Sequence, residues 1–364
     1  MREPNAIDFW RGFALITIFI NHVPGNEFVR FTYSQYSLSD AAELFVFLAG
    51  WSLALATGGP NRQDPPTRVV LRLASRTLEV YRAQLVISVI ALAMIAEAAL
   101  ELDNPLLLEW HGAGLFFSSP APAVVGLVAL TYQLGYFNIL PLYVGVLALA
   151  PVFLLLARFR RWAAFGASFG LYLACLVFEV NLPNWPGEGS WFFNPLSWQF
   201  LLVLGFLGSE LSRSSPAFGA WTRRLMPLGW AGIAIGVVVA ALDLKPDPMT
   251  VPEPRLLFIF EKSYLSPGRL LHFLSVVIGF QSVYPRIAPA MPWIVRQLSA
   301  LGRNSLAVFS VASLASLAGQ FARFLWGGGF LLDTLILCSG IFCLIFTAWF
   351  VEWRLRSPRP SLPS

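Results

Sequence analysis

An arginine and a histidine lie eleven positions apart in the first strongly apolar segment of the chain, IDFWRGFALITIFINHV. On an α-helix, the interval from Arg11 to His22 corresponds to roughly 16.5 Å of rise and roughly 20° of net rotation. The two side chains therefore share one helix face, with the guanidinium near one membrane surface and the imidazole near the other. Ionisable groups inside a membrane usually line a cavity, a relay or a substrate path. This pattern suits a reaction that uses both sides of a membrane.

Two carboxylates begin the second apolar segment, DAAELFVFLAGWSLALA. Asp40 and Glu43 are three residues apart and share a helix face. The loop PGNEFVRFTYSQYSLS is short enough to hold the two segments as a hairpin, so we expect these carboxylates to converge with His22. A histidine oriented by a carboxylate accepts a hydroxyl proton near neutral pH. The sequence therefore predicts His22, Asp40 and Glu43 as catalytic residues.

Structural interpretations remain open for the same residues. A histidine at a helix end can simply bond a loop, and Asp40 suits a helix N-terminus, where the dipole favours a carboxylate. Asp8 and Arg11 are three residues apart and can form a local ion pair. Glu43 lies one turn deeper and is the hardest to explain structurally.

The composition is that of a membrane protein. Hydrophobic residues make up 57% and charged residues 12% of the 364 positions, whereas about a quarter of residues are charged in soluble proteins. The net charge of +5 comes from arginines in short loops, which indicates topology and argues against a nucleic-acid partner. Cys175, Cys338 and Cys343 lie in apolar runs and offer neither a disulfide framework nor metal-ligand spacing. The first segment lacks a small-residue cleavage site, so we expect it to be retained.

The predicted fold class is an all-α polytopic membrane protein with about ten transmembrane helices of ~20 residues each. The loops between them are rich in Pro, Gly and Asn. The ten predicted helices are about 7–24, 39–57, 83–102, 138–157, 162–180, 195–212, 225–243, 267–284, 303–325 and 330–351.

Two segments fit this scheme less simply. Residues 67–82 place arginines at helical spacing among apolar residues, which predicts an amphipathic, interfacial lead-in to the third span. Residues 111–136 are apolar pieces broken by Pro120, Pro122 and Gly135, which favours an interfacial or re-entrant segment.

The distribution of basic residues predicts the orientation. With the N-terminus in the cytoplasm, 19 of the 25 lysines and arginines fall on the cytoplasmic side, as expected for a chain with both termini inside. The long segments 103–137 and 244–266 then face outward. We expect one transmembrane domain, 1–352, and a short cytoplasmic tail, 353–364.

Arginines near the cytoplasmic face are candidates for binding a nucleotide phosphate. Arg11 is one, and Arg303, Asn304 and Ser305 at the start of the ninth predicted helix form a second candidate site. Helix capping explains the second group equally well. The arginines between positions 62 and 82 fit topology and lipid headgroups better, although they also suit a polyanion.

Aromatic and amide side chains occur together at two predicted outer membrane boundaries, TYQLGYFNILPLY and FNPLSWQFLLVLG. Sugar rings stack on aromatic side chains while their hydroxyls bond amides, but the aromatic belt of membrane helices produces the same pattern. The predicted substrate-binding residues are Asn21, Tyr132, Gln133, Trp198 and Gln199.

Several blocks of the sequence resemble the OpgC proteins, membrane transferases of osmoregulated periplasmic glucans. RGFALITIFINHVPGN and SDAAELFVFLAGWSLALA are the most specific, and TYQLGYFNILPLY, NPLSWQFLLVLG and LGRNSLAVFSVASL extend the resemblance over nearly the whole chain. The family is similar to the wider acyltransferase-3-like membrane proteins, in which an arginine and a histidine recur at the spacing of Arg11 and His22.

The resemblance implies ten helices, cytoplasmic termini and an inner-membrane enzyme without a permanently bound cofactor. It also implies transfer of a succinyl group from succinyl-CoA to hydroxyls of a periplasmic glucan; no residue here selects succinyl over acetyl. Direct transfer assisted by His22 is preferred over an acyl-His22 intermediate. The rival from another class is a transporter of a glycan or an organic anion, in which the intramembrane polar residues form a proton relay or substrate clamp.

Overall fold

The computed structural model describes residues 3–57 and 64–356. Arg2, Arg62 and most of the predicted tail lie outside the described residues. Within them every regular element is a helix, apart from one isolated bridge between Pro183 and Ser190. The α-helices, numbered α1 to α15, are Ala6–Asn21, Ala41–Thr57, Pro66–Glu101, Gly114–Ser118, Pro120–Val128, Ile139–Phe159, Arg161–Phe178, Pro195–Ser214, Pro216–Arg224, Met226–Ala241, Pro267–Phe280, Val283–Ala290, Pro292–Arg303, Ser305–Trp326 and Phe330–Arg356. Short 3-10 helices cover Glu27–Phe31, Tyr33–Tyr36, Pro105–Gly112 and Arg255–Leu257.

Each of the ten predicted segments coincides with a helix or part of one, which confirms the all-helical membrane-like fold. By length and composition, however, five helices of the described chain can cross a membrane, namely α3, α6, α7, α14 and α15. The number rises to seven if the bent pairs α9–α10 and α11–α12 each count as one span. Helices α1 and α2 have only 16 and 17 residues. The count of ten spans is therefore not supported by helix length and composition.

Helices also form outside the ten predicted spans. Residues 67–82 are the first half of the continuous 36-residue helix α3, with no break before the apolar half. Helix α13 was not predicted, because its sequence PWIVRQLSALGR is amphipathic and short. Residues 111–136 contain the short helices α4 and α5, neither of which is long enough to span a membrane.

The described chain divides into two compact units, each considered by itself below. The first comprises the described parts of Met1–Arg30 and Tyr284–Ser364, and the second is Phe31–Val283. In the first unit, α1 packs against α13 and α14, and α14 packs against α15. In the second, α8 lies in the interior, where it contacts α2, α6 and α7, while α3 packs on α6 and α10 on α11.

Glycines bring one pair of helix backbones into direct contact in each unit. A side chain at Gly12 of α1 would overlap the carbonyl of Leu298 on α13, and one at Gly302 of α13 would overlap the carbonyl of Asp8 on α1. In the second unit, Gly50 of α2 and Gly205 of α8 make the corresponding reciprocal contact through the carbonyls of Leu202 and Phe47. Small residues allow this close approach between membrane helices. The helices that carry the predicted catalytic residues are therefore tightly fixed within their units.

Candidate functional site

His22 follows the last residue of α1 and forms its C-terminal cap. Its backbone leaves the helix with φ −84° and ψ 3°, and its N–H donates to the carbonyl of Ile18 at 2.9 Å. Its own carbonyl accepts a hydrogen bond from Nε2 of Gln320 on α14 at 2.6 Å. The side chain is half-buried, like that of Asn21. The imidazole is thus carried on a backbone position that α14 holds directly.

Arg11 lies on α1 without a carboxylate partner in the described part of the chain. Its Nε is buried and makes no hydrogen bond there. The local ion pair with Asp8 does not form, because Asp8 accepts a hydrogen bond from Nδ2 of Asn5 at 2.6 Å. Asn5 in turn accepts from the Asp8 N–H at 3.0 Å, so these two residues cap the start of α1. The Arg11 guanidinium is therefore available to an anionic ligand.

Glu43 lies in the first turn of α2 and is fully buried in the second unit. One of its carboxylate oxygens accepts from Nε and Nη2 of Arg269 on α11 at 3.0 and 2.6 Å. The other accepts from the backbone N–H of Asp40 at 3.0 Å. Both oxygens of Glu43 are therefore already engaged.

Asp40 immediately precedes α2 and caps it. One carboxylate oxygen accepts from the N–H of Ala42 at 2.8 Å. The other forms an ion pair with Lys262 and lies 3.7 Å from Nη2 of Arg269. The structural interpretation of Asp40 as a helix cap is confirmed. Its cationic neighbours were not predicted, because both are far away in sequence.

His272 is a further polar residue of this region that the sequence did not single out. It lies on α11 one turn beyond Arg269, and its Nδ1 is 3.1 Å from the hydroxyl of Ser39. Gly236 of α10 packs against the ring. Nearby, burial together with the carboxylates of Asp40 and Glu43 raises the pKa of Tyr33 well above its usual value.

Arg303 ends α13 and is paired with Glu352 of α15. Its Nη2 and Nε donate to one carboxylate oxygen at 2.9 and 3.1 Å. Asn304 donates from Nδ2 to the carbonyl of Ala300 at 2.9 Å, and Ser305 begins α14 and is buried. Only Asn304 separates the end of α13 from the N-terminus of α14. A phosphate at this place would compete with Glu352 for the guanidinium.

The predicted sugar-binding residues of the second unit make hydrogen bonds within the protein. The Tyr132 hydroxyl donates to the carbonyl of Gly112 at 2.6 Å, and Gln133 donates to the carbonyl of Leu130 at 2.9 Å. The buried Trp198 donates from Nε1 to the carbonyl of Lys262 at 3.1 Å. Gln199 is equally buried, and its two amide atoms bond the hydroxyl and carbonyl of Ser168 at 2.6 and 2.9 Å. These contacts give the four side chains structural roles, and sugar binding by them stays a prediction.

The basic segment at the start of α3 is partly neutralised. The two carboxylate oxygens of Asp64 lie 3.1 Å from Nη1 of Arg68 and 2.9 Å from Nη2 of Arg72. The backbone carbonyl of Asp64 accepts from Nη1 of Arg158 at 2.6 Å. Arg68 and Arg72 therefore have a local carboxylate partner, unlike Arg11.

Comparison with known proteins gives one family. The family described as OpgC protein matches residues 2–356. No curated protein and no solved structure matches the chain.

Proposed function

Because the chain belongs to the OpgC family, we propose that it transfers a succinyl group from cytoplasmic succinyl-CoA to hydroxyl groups of a periplasmic glucan. Membership in this family indicates an acyltransferase role in glucan modification, and the single observation that carries the proposal is the family match over residues 2–356. The succinyl group, the CoA donor and the similarity to acyltransferase-3-like enzymes are parts of the proposal.

The proposed topology follows the charge distribution. Both termini lie in the cytoplasm, ten helices cross the bacterial inner membrane, and the two compact units serve one catalytic domain, 1–352, with the tail 353–364 inside. The support is the predominance of basic residues in the segments assigned to the cytoplasm. Spans shorter than ~20 residues, such as α1 and α2, are accommodated by local thinning of the bilayer.

The donor is proposed to bind with its phosphates toward Arg11. This guanidinium lies in the apolar segment of α1 and has no carboxylate partner in residues 3–57 and 64–356, whereas Arg303 is paired with Glu352. A guanidinium forms paired, charge-assisted hydrogen bonds with phosphate or carboxylate oxygens. Arg303, Asn304 and Ser305 remain a second proposed contact for the nucleotide. No cofactor stays bound between turnovers in this mechanism.

His22 is the proposed general base. Its imidazole takes the proton of a sugar hydroxyl while the hydroxyl oxygen attacks the thioester carbonyl. The C–O bond forms, the C–S bond breaks, and the CoA thiolate leaves and takes up the proton from the imidazolium. Asp40 and Glu43 remain proposed partners of this histidine. Exclusion of water from the site favours transfer over hydrolysis of the thioester.

The acceptor is proposed to approach from the periplasm. Asn21, next to His22, is its proposed contact in the first unit. In the second unit the exposed ring of Phe192 lies beside Lys262, whose Nζ is 5.9 Å from the ring centroid. An exposed ring next to the Lys262–Asp40 ion pair offers a sugar both a stacking surface and hydrogen-bonding groups. This surface supplements Tyr132, Gln133, Trp198 and Gln199 as a proposed glucan contact.

The test is acyl transfer by the purified full-length protein in lipid nanodiscs. Radiolabelled succinyl-CoA and soluble glucan are supplied, and glucan-bound label is measured. His22→Ala is expected to lower kcat by about 10²–10⁴-fold, while His111→Asn, a histidine outside the proposed site, keeps wild-type activity. Full activity in the His22 variant would overturn the assignment of the base. If the wild type neither transfers the succinyl group nor binds succinyl-CoA, the result would instead favour the alternative function, transport of a glycan or an organic anion.

A single-turnover reaction without glucan distinguishes the two chemical routes. Direct transfer predicts no label on the denatured protein. Label retained on the wild type and absent from His22→Ala would replace direct transfer by an acyl-His22 intermediate.

A further inference from the structure

The loop that follows His22 is tied to the beginning of α15. The N–H of Glu27 donates to Oδ2 of Asp333 at 2.9 Å. The other oxygen of Asp333 forms an ion pair with Nη1 of Arg323 near the end of α14. The side chain of Asp333 is 1% exposed, so this carboxylate depends on these partners.

Arg323 also holds the same loop directly. Its Nη2 donates to the carbonyl of Gly25 at 2.7 Å. Gly25 and Gly328 both have left-handed backbones, with φ of +75° and +77°. A Cβ at Gly328 would lie 2.7 Å from Nη2 of Arg323, and one at Gly25 would lie 3.3 Å from it. The glycines therefore leave the space that the guanidinium occupies between the two loops.

A third contact reaches the histidine itself. Gln320 lies on α14 one turn before Arg323, and its amide donates to the His22 carbonyl at 2.6 Å. Asn26 closes the turn from the other side by donating to the carbonyls of Ile20 and Val23 at 2.8 and 2.6 Å. The end of α1 is thus fixed at the carbonyl of His22 and again in the loop that follows.

We propose that Gln320, Arg323 and Asp333 are positioning residues that hold His22 in its reactive place at the end of α1. This inference rests on the proposed function, in which His22 is the general base. None of the three touches the reacting atoms in this assignment. They act by fixing the backbone from which the imidazole projects.

The physical argument is that a helix end has carbonyls without intrahelical partners and frays unless they are bonded. Gln320 satisfies one such carbonyl, that of His22, and Arg323 satisfies the carbonyl of Gly25. A general base must lie within hydrogen-bonding reach of the proton that it accepts, and a displacement of about 1 Å at a reacting group can lower a rate by about 10²-fold. Loss of these contacts is therefore expected to affect catalysis more than donor binding.

Two variants remove the contacts while leaving no buried charge unpaired. Gln320→Met keeps the side-chain volume and removes the donor. The double variant Arg323→Met with Asp333→Asn removes the ion pair. The two changes are made together, because Asp333→Asn alone would leave Arg323 without its carboxylate. Arg255→Met is the matched control, because Arg255 pairs with Glu179 on the exposed surface of the second unit.

Steady-state kinetics and pH profiles of folded protein in nanodiscs provide the readout. Both variants are expected to lower kcat by about 10–10²-fold with the KM for succinyl-CoA within about twofold of wild type. The pH midpoint of kcat is expected to move by at least about half a unit, because the imidazole meets a changed environment. Gln320→Glu, which places an acceptor against a carbonyl, should lower kcat as Gln320→Met does. Arg323→Lys in a chain that keeps Asp333 should be less impaired than the double variant. The Arg255 variant should match wild type.

The outcomes separate this inference from the proposed function. If His22→Ala is inactive while both positioning variants keep wild-type kcat and pH profile, the positioning role is wrong and the general base stands. If the variants only lower the yield of folded protein and each folded molecule turns over normally, the contacts are purely structural and the inference is also wrong. Wild-type activity of His22→Ala would overturn the proposed base itself.

Discussion

The Arg303 guanidinium donates two hydrogen bonds to a single carboxylate oxygen of Glu352, at 2.9 and 3.1 Å. Arg11, the other arginine proposed for the donor, has no such partner in the described parts of the chain. This difference favours Arg11 over Arg303 as the main contact for the donor.

Donor affinity should depend more on Arg11 than on Arg303. Arg11→Met is expected to raise the Kd for succinyl-CoA by about 10–100-fold, the equivalent of about 1.5–3 kcal/mol for hydrogen bonds to a charged group. Arg303→Met should have a smaller effect, because Glu352 already neutralises that guanidinium and engages its Nε and Nη2, which leaves only the buried Nη1 without a hydrogen bond in the described chain. Isothermal titration with succinyl-CoA measures both, and Arg255→Met is the control. Equal Kd values for Arg11→Met and wild type would remove Arg11 from the donor site.

The Glu43–Arg269 pair should contribute mainly to stability. Glu43→Gln or Arg269→Met leaves one buried charge without its partner and is expected to reduce the free energy of unfolding by about 3–5 kcal/mol. The double variant should be less destabilised than the sum of the two single variants. Denaturant unfolding in detergent measures the effect, and Glu79→Gln, in an exposed pair with Arg76, should change it by about 0.5 kcal/mol or less.

The same variants examine the predicted catalytic role of Glu43. Activity lost in proportion to the unfolded fraction would make Glu43 a structural residue. A folded Glu43→Gln protein with a strongly reduced kcat would support its predicted role beside His22.

The close contact between α1 and α13 should not tolerate a side chain at its centre. Gly12→Ala places a Cβ against the backbone of Leu298 and is expected to destabilise the protein by about 1–3 kcal/mol through overpacking. Gly170→Ala on α7 is the matched control, because a Cβ there meets nothing within 4 Å. The control should be neutral or slightly stabilising, since alanine favours helix. Thermal unfolding compares the two, and equal Tm values would contradict the packing argument.

The proposed orientation predicts which cysteines an impermeant reagent reaches. In a protein with Cys175, Cys338 and Cys343 replaced by serine, Leu106→Cys and Met249→Cys should react in cells whose outer membrane has been permeabilised. Ser214→Cys, in a segment assigned to the cytoplasm, should react only after the inner membrane is disrupted. The reverse pattern would invert the topology, and a mixed pattern would change the number of spans.

Hydropathy predicted where the long helices lie, because apolar runs of sufficient length are a local property of the sequence. Among the helices that it missed is α13, whose arginine and glutamine interrupt a short apolar face. It also missed the partners of Glu43, because Arg269 is 226 residues away and no local pattern joins them. One signal was present: Arg269 falls within an apolar segment, where a charge requires a partner. Pairing it with Glu43, which also lies in an apolar segment, was possible in principle.

The polar residues around His22 were harder to predict for the same reason. Gln320 and Arg323 lie on one face of α14 among apolar residues, and Asp333 lies in the first turn of the next helix, which follows three glycines. Their common target is the loop that follows α1, nearly 300 residues earlier in the sequence. Only the packing of α14 and α15 beside α1 reveals it.

In the proposed topology, the length of α3 sets the depth of the protein in the bilayer. Its 36 residues rise roughly 54 Å, whereas the hydrocarbon layer is about 30 Å thick. The apolar half after Arg82 matches that thickness. The arginine-bearing half therefore extends through the headgroup region as a continuation of the same helix. Displacement of the helix toward the bilayer centre would place guanidinium groups in hydrocarbon. Displacement in the opposite direction would expose apolar side chains to water. In that topology, the unbroken helix resists displacement along the bilayer normal in both directions.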